Sequence, residues 1–142
     1  MTIFHRATHT SAAEIVEAIL EPVSEEERYV LLSTRDASCE CTPIECACFY
    51  GKTRILDKMI KLTMEETWYK ALQITDDVGR TPLHVSALHD RTQPMKFIAD
   101  SLTAQHLSHL LRITDKFGHT PLQLAEYWEK QAAEPLQDYH TT

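Results

Sequence analysis

The stretch Asp76–Ala87, which reads DDVGRTPLHVSA, contains the motif from which the rest of the chain can be interpreted. Its tripeptide Thr81-Pro82-Leu83 recurs as Thr42-Pro43-Ile44 and as Thr120-Pro121-Leu122. The two intervals between these tripeptides are both 39 residues long. A fixed spacing of this length is typical of proteins built from structural repeats, so the chain is predicted to be a repeat protein.

Each Thr-Pro tripeptide has the sequence features of a turn followed by a helix. Gly79 and Gly118 lie three residues before the prolines of the last two tripeptides, where a glycine can supply the positive φ of a tight turn. Threonine is a good N-cap residue, and proline is tolerated in the first helical turn because its missing N–H would have no intrahelical acceptor. The pattern therefore predicts a turn, a cap and a helix, in that order.

The wider pattern Asp-x-x-Gly-x-Thr-Pro-Leu-His-x-(Ala/Ser)-Ala, present in full at residues 76–87, resembles the ankyrin repeat. The resemblance covers nearly the whole chain. It implies a single domain, residues 1–142, with an all-α fold of the helical repeat solenoid type. Its repeat units are expected at about 1–35, 36–75, 76–114 and 115–142, the last one partial. His84 occupies a position that in this family resembles a structural histidine, which ties the turn to the start of the helix.

The units are longer than the usual ankyrin period of about 33 residues, and the additional residues lie between the second helix and the next turn. Ser24, Thr63 and Thr103 are good helix caps in this segment, and the first two have a glutamate three residues on, which is the spacing of a capping box. Apolar residues follow each of the three. We therefore predict an extra short helix in every full unit.

Composition and charge are those of a small acidic globular protein. The 142 residues include 14 Lys and Arg against 21 Asp and Glu, and the net charge of −7 opposes binding to nucleic acid. No stretch approaches the ~20 apolar residues that cross a bilayer, and the N-terminal residues lack the pattern of a signal peptide. We expect an intracellular protein, in the cytoplasm or nucleus, that binds neither nucleic acid nor membranes, needs no cofactor and is monomeric by default.

A stack of repeat units leaves an extended concave surface, and such surfaces usually bind another protein. The resemblance implies that the turn tips and the exposed side of the first helix of each unit make these contacts. Phe49 and Leu88 lie in this region but are predicted to pack on the neighbouring unit. The candidate partner-binding residues are Tyr50, Arg80, His89, Phe117, His119 and Trp128. Aromatic side chains and arginine are enriched among residues that dominate binding energies.

The cysteines support an alternative, a metal-dependent or redox-responsive adaptor. Cys39, Cys41, Cys46 and Cys48 lie within ten residues, and four thiolates can hold a structural zinc ion. The spacing is unfavourable, because Cys46 and Cys48 fall in the predicted first helix of the second unit. Residues two apart in a helix point about 200° away from each other.

Catalysis has no support in the sequence. The chain contains no glycine-rich phosphate loop, no Gly-x-Ser-x-Gly and no His-Glu-x-x-His motif. The acidic run Glu25-Glu26-Glu27 suits the first turn of a helix, where carboxylates interact favourably with the helix dipole. We therefore expect a non-catalytic protein–protein interaction module, a scaffold or an adaptor.

Overall fold

The computed structural model describes residues 3–9, 12–37, 40–89 and 92–132. Within these ranges every regular element is an α-helix, which confirms the predicted all-α fold class. In chain order the helices are α1 (Ile3–His9), α2 (Ala13–Leu20), α3 (Glu25–Ser33), α4 (Pro43–Tyr50), α5 (Thr53–Leu62), α6 (Glu65–Ala71), α7 (Pro82–Leu88), α8 (Thr92–Asp100), α9 (Ala104–Leu111) and α10 (Pro121–Ala132).

Helices at corresponding positions of successive units pack against each other. The first helices, α1, α4, α7 and α10, form a row in which each contacts the next, and the second helices, α2, α5 and α8, form another. α3 packs against α6, and hydrogen bonds join α6 to the start of α9. The helices α3, α6 and α9 lie where the sequence predicts an extra helix in each full unit.

The Thr-Pro tripeptides form reciprocal helix caps. The Thr81 hydroxyl accepts a hydrogen bond from the His84 N–H at 3.4 Å, and His84 Nδ1 accepts one from the Thr81 N–H at 3.1 Å. Pro82 occupies the first helical turn, as predicted. The corresponding pairs in the second and fourth units are Thr42 with Glu45 and Thr120 with Gln123. These bonds satisfy backbone donors that a helix start leaves without intrahelical partners.

The turns before these caps need a residue with positive φ. Gly79 and Gly118 supply it, with φ values of +80° and +83°. In the second unit the same position, three residues before Pro43, is occupied by Glu40 with a φ of +56°. A side chain other than glycine is strained in this left-handed region, because its Cβ lies too close to the following carbonyl oxygen.

His84 also joins the third unit to the fourth. Its side chain is buried, and its Nε2–H donates to the carbonyl oxygen of His119 at 2.9 Å. Burial lowers the pKa of His84 and so favours the neutral ring. A neutral ring is required here, because Nε2–H donates to His119 while Nδ1 accepts from the Thr81 N–H. These contacts agree with the structural role predicted for this histidine.

One core cluster contains apolar side chains from all three rows of helices, with members from α1 to α9. The indole N–H of Trp68 has a hydrogen-bond partner in this core, because it donates to Ser101 Oγ at 2.8 Å. The largest fully buried side chains are Trp68, Leu20, Leu32, Ile44, Ile55, Leu56, Met59, Leu72, Leu83, Ile98 and Leu110.

The predicted caps of the extra helices are confirmed at two of three positions. Ser24 forms a capping box, and the Thr103 hydroxyl accepts from the His106 N–H at 3.2 Å. The prediction is wrong for Thr63, since Met64 is the N-cap residue of α6 and its side chain makes no capping bond. Thr63 Oγ1 is buried without a hydrogen-bond partner among the described residues.

Glutamates of the preceding unit provide the capping that Thr63 does not. Both carboxylate oxygens of Glu25 lie 3.3 Å from the Met64 N–H, which donates to them. Glu65 Oε2 likewise accepts from the Thr103 N–H at 3.2 Å and lies 2.7 Å from His106 Nδ1. The first turns of α3 and α6 therefore each help to cap the extra helix of the next unit.

Candidate functional site

A groove lies between the second and third units, beside α4 and α7, with a volume of about 350 Å³. We call it the α4–α7 groove. Three of the six candidate partner-binding residues, Tyr50, Arg80 and His89, line it. The other lining residues are Glu40, Cys41, Glu45, Cys46, Phe49, Asp76, Asp77, Val85 and Leu88. Two segments that are distant in the chain, residues 40–50 and 76–89, thus share one concave surface.

Aromatic rings form one wall of the groove. The Phe49 ring lies edge-on to Tyr50 at a centroid distance of 4.8 Å and is tilted against His89 at 4.3 Å. Phe49 packs on the neighbouring unit through His89, as predicted, but Phe49 and Tyr50 are still 41% and 43% exposed, whereas Leu88 is half-buried. The reason is that α4 ends at Tyr50 and the left-handed Gly51 turns the chain away, which leaves the last turn of the helix at the groove edge.

Arg80 shapes the turn as well as lining the groove. Its Nε lies 3.0 Å from Asp76 Oδ2, and the other Asp76 oxygen accepts the N–H groups of Arg80 and Val78, both at 2.9 Å. The guanidinium charge is therefore balanced within the turn. An alanine at position 80 would disturb this turn as well as any contact with a partner.

Glu45 is the buried carboxyl group of the groove. It is 2% exposed, and its Oε1 accepts from the Thr42 N–H at 2.9 Å. Burial raises its pKa from 4.5 to about 7, and the nearby charge of Asp76 adds to this, while the hydrogen bonds from Thr42 and the charge of Arg35 oppose it. At neutral pH this carboxyl group is therefore partly protonated.

Sequence reasoning did not assign Glu40, Glu45 or Asp77 to the candidate surface. The 39-residue register contains a usable signal, since it aligns Glu40 with the turn glycine Gly79 and Glu45 with the buried His84. An acidic residue at a glycine position and another at a structural histidine position mark the second unit as different from the third.

The remaining candidate residues lie outside this groove. Phe117 is 74% exposed, and the side chain of His119 is 52% exposed, both in the turn that precedes α10. Trp128 lies within α10, but its side chain is outside the described residues. The structure thus separates the six candidates into a groove set of three and a set near the fourth unit.

The two cysteines predicted to lie in a helix do so. Cys46 and Cys48 are both in α4, and burial raises the pKa of Cys46 to about 11 and that of Cys48 to about 12. Such values disfavour the thiolate that metals bind and that reacts with disulfides. Cys41 Sγ lies 3.0 Å from Cys46 Sγ, while Cys39 is outside the described residues. Among the residues that are described, no three His, Cys, Asp or Glu side chains are grouped to hold a metal ion.

No helix in the described part of the chain combines the length and the apolar character needed to cross a membrane.

Comparison with known proteins reveals a shared fold and no named family. No protein-family model matches the chain, and no curated protein does either. A chain in the crystal structure of the yeast ribosomal protein Rps3 in complex with its chaperone Yar1 does match, with a TM-score of 0.66 over 96% of this chain and 87% of that one. The two sequences are 17% identical, so the likeness concerns the fold alone. Since 149 solved chains match, the fold by itself does not select a function.

Proposed function

We propose that the chain is a non-catalytic module of the ankyrin type that binds a partner protein through the α4–α7 groove. The 39-residue spacing of the Thr-Pro tripeptides and their reciprocal caps support the ankyrin part of the proposal. The packing of first helix on first helix, and of second on second, supports it as well. In this proposal the module acts as a scaffold or adaptor, as a monomer, in the cytoplasm or nucleus.

The observation that carries the proposal is the exposed aromatic wall of the groove. Phe49 and Tyr50 are each more than 40% exposed on a concave surface, next to the exposed His89. Neighbouring exposed rings in a concave surface are typical of sites that a partner covers. The solved chain of similar fold comes from a complex between a ribosomal protein and its chaperone, which is in keeping with a role in holding another protein.

Capture of partners from a cell lysate tests the proposal. The informative variant is Tyr50→Ala combined with His89→Ala, because both side chains are exposed and Arg80, which shapes the turn, stays intact. A matched control is Val30→Ala, since Val30 is 57% exposed on α3, outside the groove. Far-UV circular dichroism and a thermal melt confirm that all three proteins are equally folded.

Proteins captured by the wild type and by Val30→Ala, and lost with the double variant, are the expected result. Capture of the same proteins by all three chains would contradict the assignment of the groove as the binding surface. Mass spectrometry with label-free quantification provides the comparison.

A further inference from the structure

The lining of the α4–α7 groove has an excess of negative charge. Within it, Arg80 is the one arginine or lysine, against the four carboxyl groups of Glu40, Glu45, Asp76 and Asp77. Arg80 is paired with Asp76 at 3.0 Å, so three carboxyl groups remain, one of which, Glu45, has a pKa of about 7. Arg35, which is outside the lining, also acts on Glu45, and the carboxyl groups still outnumber the arginine and lysine side chains that these described residues place at the groove. The net charge of −7 on the whole chain reinforces this field.

The aromatic wall faces the same space as these carboxyl groups. Phe49 and Tyr50 present ring surface to the groove, and Val85 and Leu88 add apolar surface from α7. A lysine or arginine side chain has an apolar stem that packs on such surface and a cationic head that is attracted to ring faces and to carboxylates. The volume of about 350 Å³ is at the lower end of the roughly 300–1,000 Å³ found for small-ligand sites, which suits one long side chain with its flanking residues.

We propose that the groove receives a lysine or arginine side chain from an exposed segment of the partner protein, with its stem against Phe49 and Tyr50 and its cationic head among Glu40, Glu45 and Asp77. This inference rests on the proposed function and adds the chemistry of the partner to it. The charge and the aromatic wall favour a basic peptide over an acidic or a purely apolar one.

The backbone at Glu40 agrees with a role for its carboxylate. The third and fourth units use glycine at this turn position, whereas Glu40 holds a φ of +56° there. A strained residue at the edge of a candidate site is more readily understood when its side chain contributes to binding than when it is only part of a turn. Replacing it by glycine separates the two roles, since the substitution relieves the backbone and removes the carboxylate.

A random peptide library displayed on phage provides the probe. Selection on the wild-type protein is expected to enrich lysine or arginine at one fixed position, near an apolar residue. The selected peptide is then synthesised in two forms, one with arginine and one with citrulline, which keeps the shape of arginine without its charge. Fluorescence anisotropy should show the citrulline form binding roughly 10-fold more weakly, because it loses its interaction with all three carboxyl groups.

Protein variants locate the effect on the groove. Glu40→Gln with Asp77→Asn should weaken binding of the arginine peptide roughly 3- to 10-fold and reduce the difference between the two peptides. The matched control, Glu21→Gln with Glu26→Gln, removes the same charge from two exposed positions outside the lining and should leave affinity within about twofold. Glu40→Gly should weaken binding without loss of stability, which excludes unfolding as the cause.

Peptides that depend on Tyr50 but show no basic enrichment, or equal binding of the arginine and citrulline forms, would overturn this inference and leave the proposed function standing. An equal loss of affinity in the control variant would also overturn it, because the effect would then come from net charge alone. Failure to obtain any peptide that depends on Tyr50 would count against the inference and the proposed binding surface together.

Discussion

Replacing Glu40 by glycine is expected to stabilise the protein, although it removes a side chain. Glu40 has a φ of +56°, and the left-handed conformation costs a residue with a Cβ roughly 1–2 kcal/mol. Glycine loses about 0.5–1 kcal/mol of this gain, because its unfolded chain has more conformational freedom. The net effect is a stabilisation of up to about 1.5 kcal/mol, with a central value of about 0.75 kcal/mol, or roughly 2–3 °C in Tm for a protein of this size.

Substitutions at the other two turns give the matched controls. Gly118→Ala should destabilise the protein by about 0.5–1 kcal/mol, since its φ is +83° while no atom lies within 4 Å of the added Cβ. Gly79→Ala should cost more, because the Cβ would also lie 3.3 Å from the Lys116 N–H nitrogen, which donates to the Val78 carbonyl at 2.9 Å. The expected order of stability is Glu40→Gly, wild type, Gly118→Ala, Gly79→Ala.

Urea unfolding followed by circular dichroism at 222 nm measures the free energy of unfolding of each variant. Equal slopes of this free energy against urea concentration would show that each variant exposes the same surface on unfolding. A lower midpoint for Glu40→Gly, with the two alanine variants in the expected order, would refute the reasoning. It would mean that the Glu40 side chain contributes more to stability than its backbone strain removes.

Three further predictions concern buried titratable groups. The pKa of Glu45 is raised from an ordinary 4.5 to about 7, so the free energy of unfolding should fall by up to roughly 3 kcal/mol as pH rises from 4.5 to above 7. Urea titrations at several pH values measure this dependence. Glu45→Gln should abolish it and keep the cap, because Gln123 makes the same cap in the fourth unit. The lowered pKa of His84 has the opposite effect, so the stability that it contributes is present above about pH 6.5 and lost as pH falls. His84→Ala should cost about 1–3 kcal/mol at pH 7.5, because it removes the acceptor of the buried Thr81 N–H and one of the two donors to the His119 carbonyl, which keeps the Asp115 N–H. Cys48, with a pKa of about 12, should react with iodoacetamide at pH 8 only after unfolding, and rapid labelling of the native protein would contradict its burial.

Much of the fold could be predicted because its signals are local. The Thr-Pro tripeptides combine turn, cap and helix start within a few residues, so the caps at Thr42 and Thr81 follow from the sequence. The extra helices also follow, since Ser24 and Thr103 cap them locally. Thr63 has the same local pattern, but there the Met64 N–H donates to Glu25, 39 residues away, and local spacing cannot reveal such a partner.

The candidate site was predictable to a smaller extent. Tyr50, Arg80 and His89 could be selected by their register, and they do line one groove. The exposure of Phe49 was not predictable, because it depends on where α4 ends relative to the next unit. The carboxyl group of Glu45 was missed for a related reason, since its burial and raised pKa come from packing between units rather than from its neighbours in the chain.

Hydrogen–deuterium exchange of the protein with and without its captured partner tests the central claim most directly. Binding through the α4–α7 groove predicts slower amide exchange in residues 40–51 and 76–89, with little change in α3, α6 and α9. Protection confined to those extra helices, with the groove segments unchanged, would contradict the claim that this groove binds the partner.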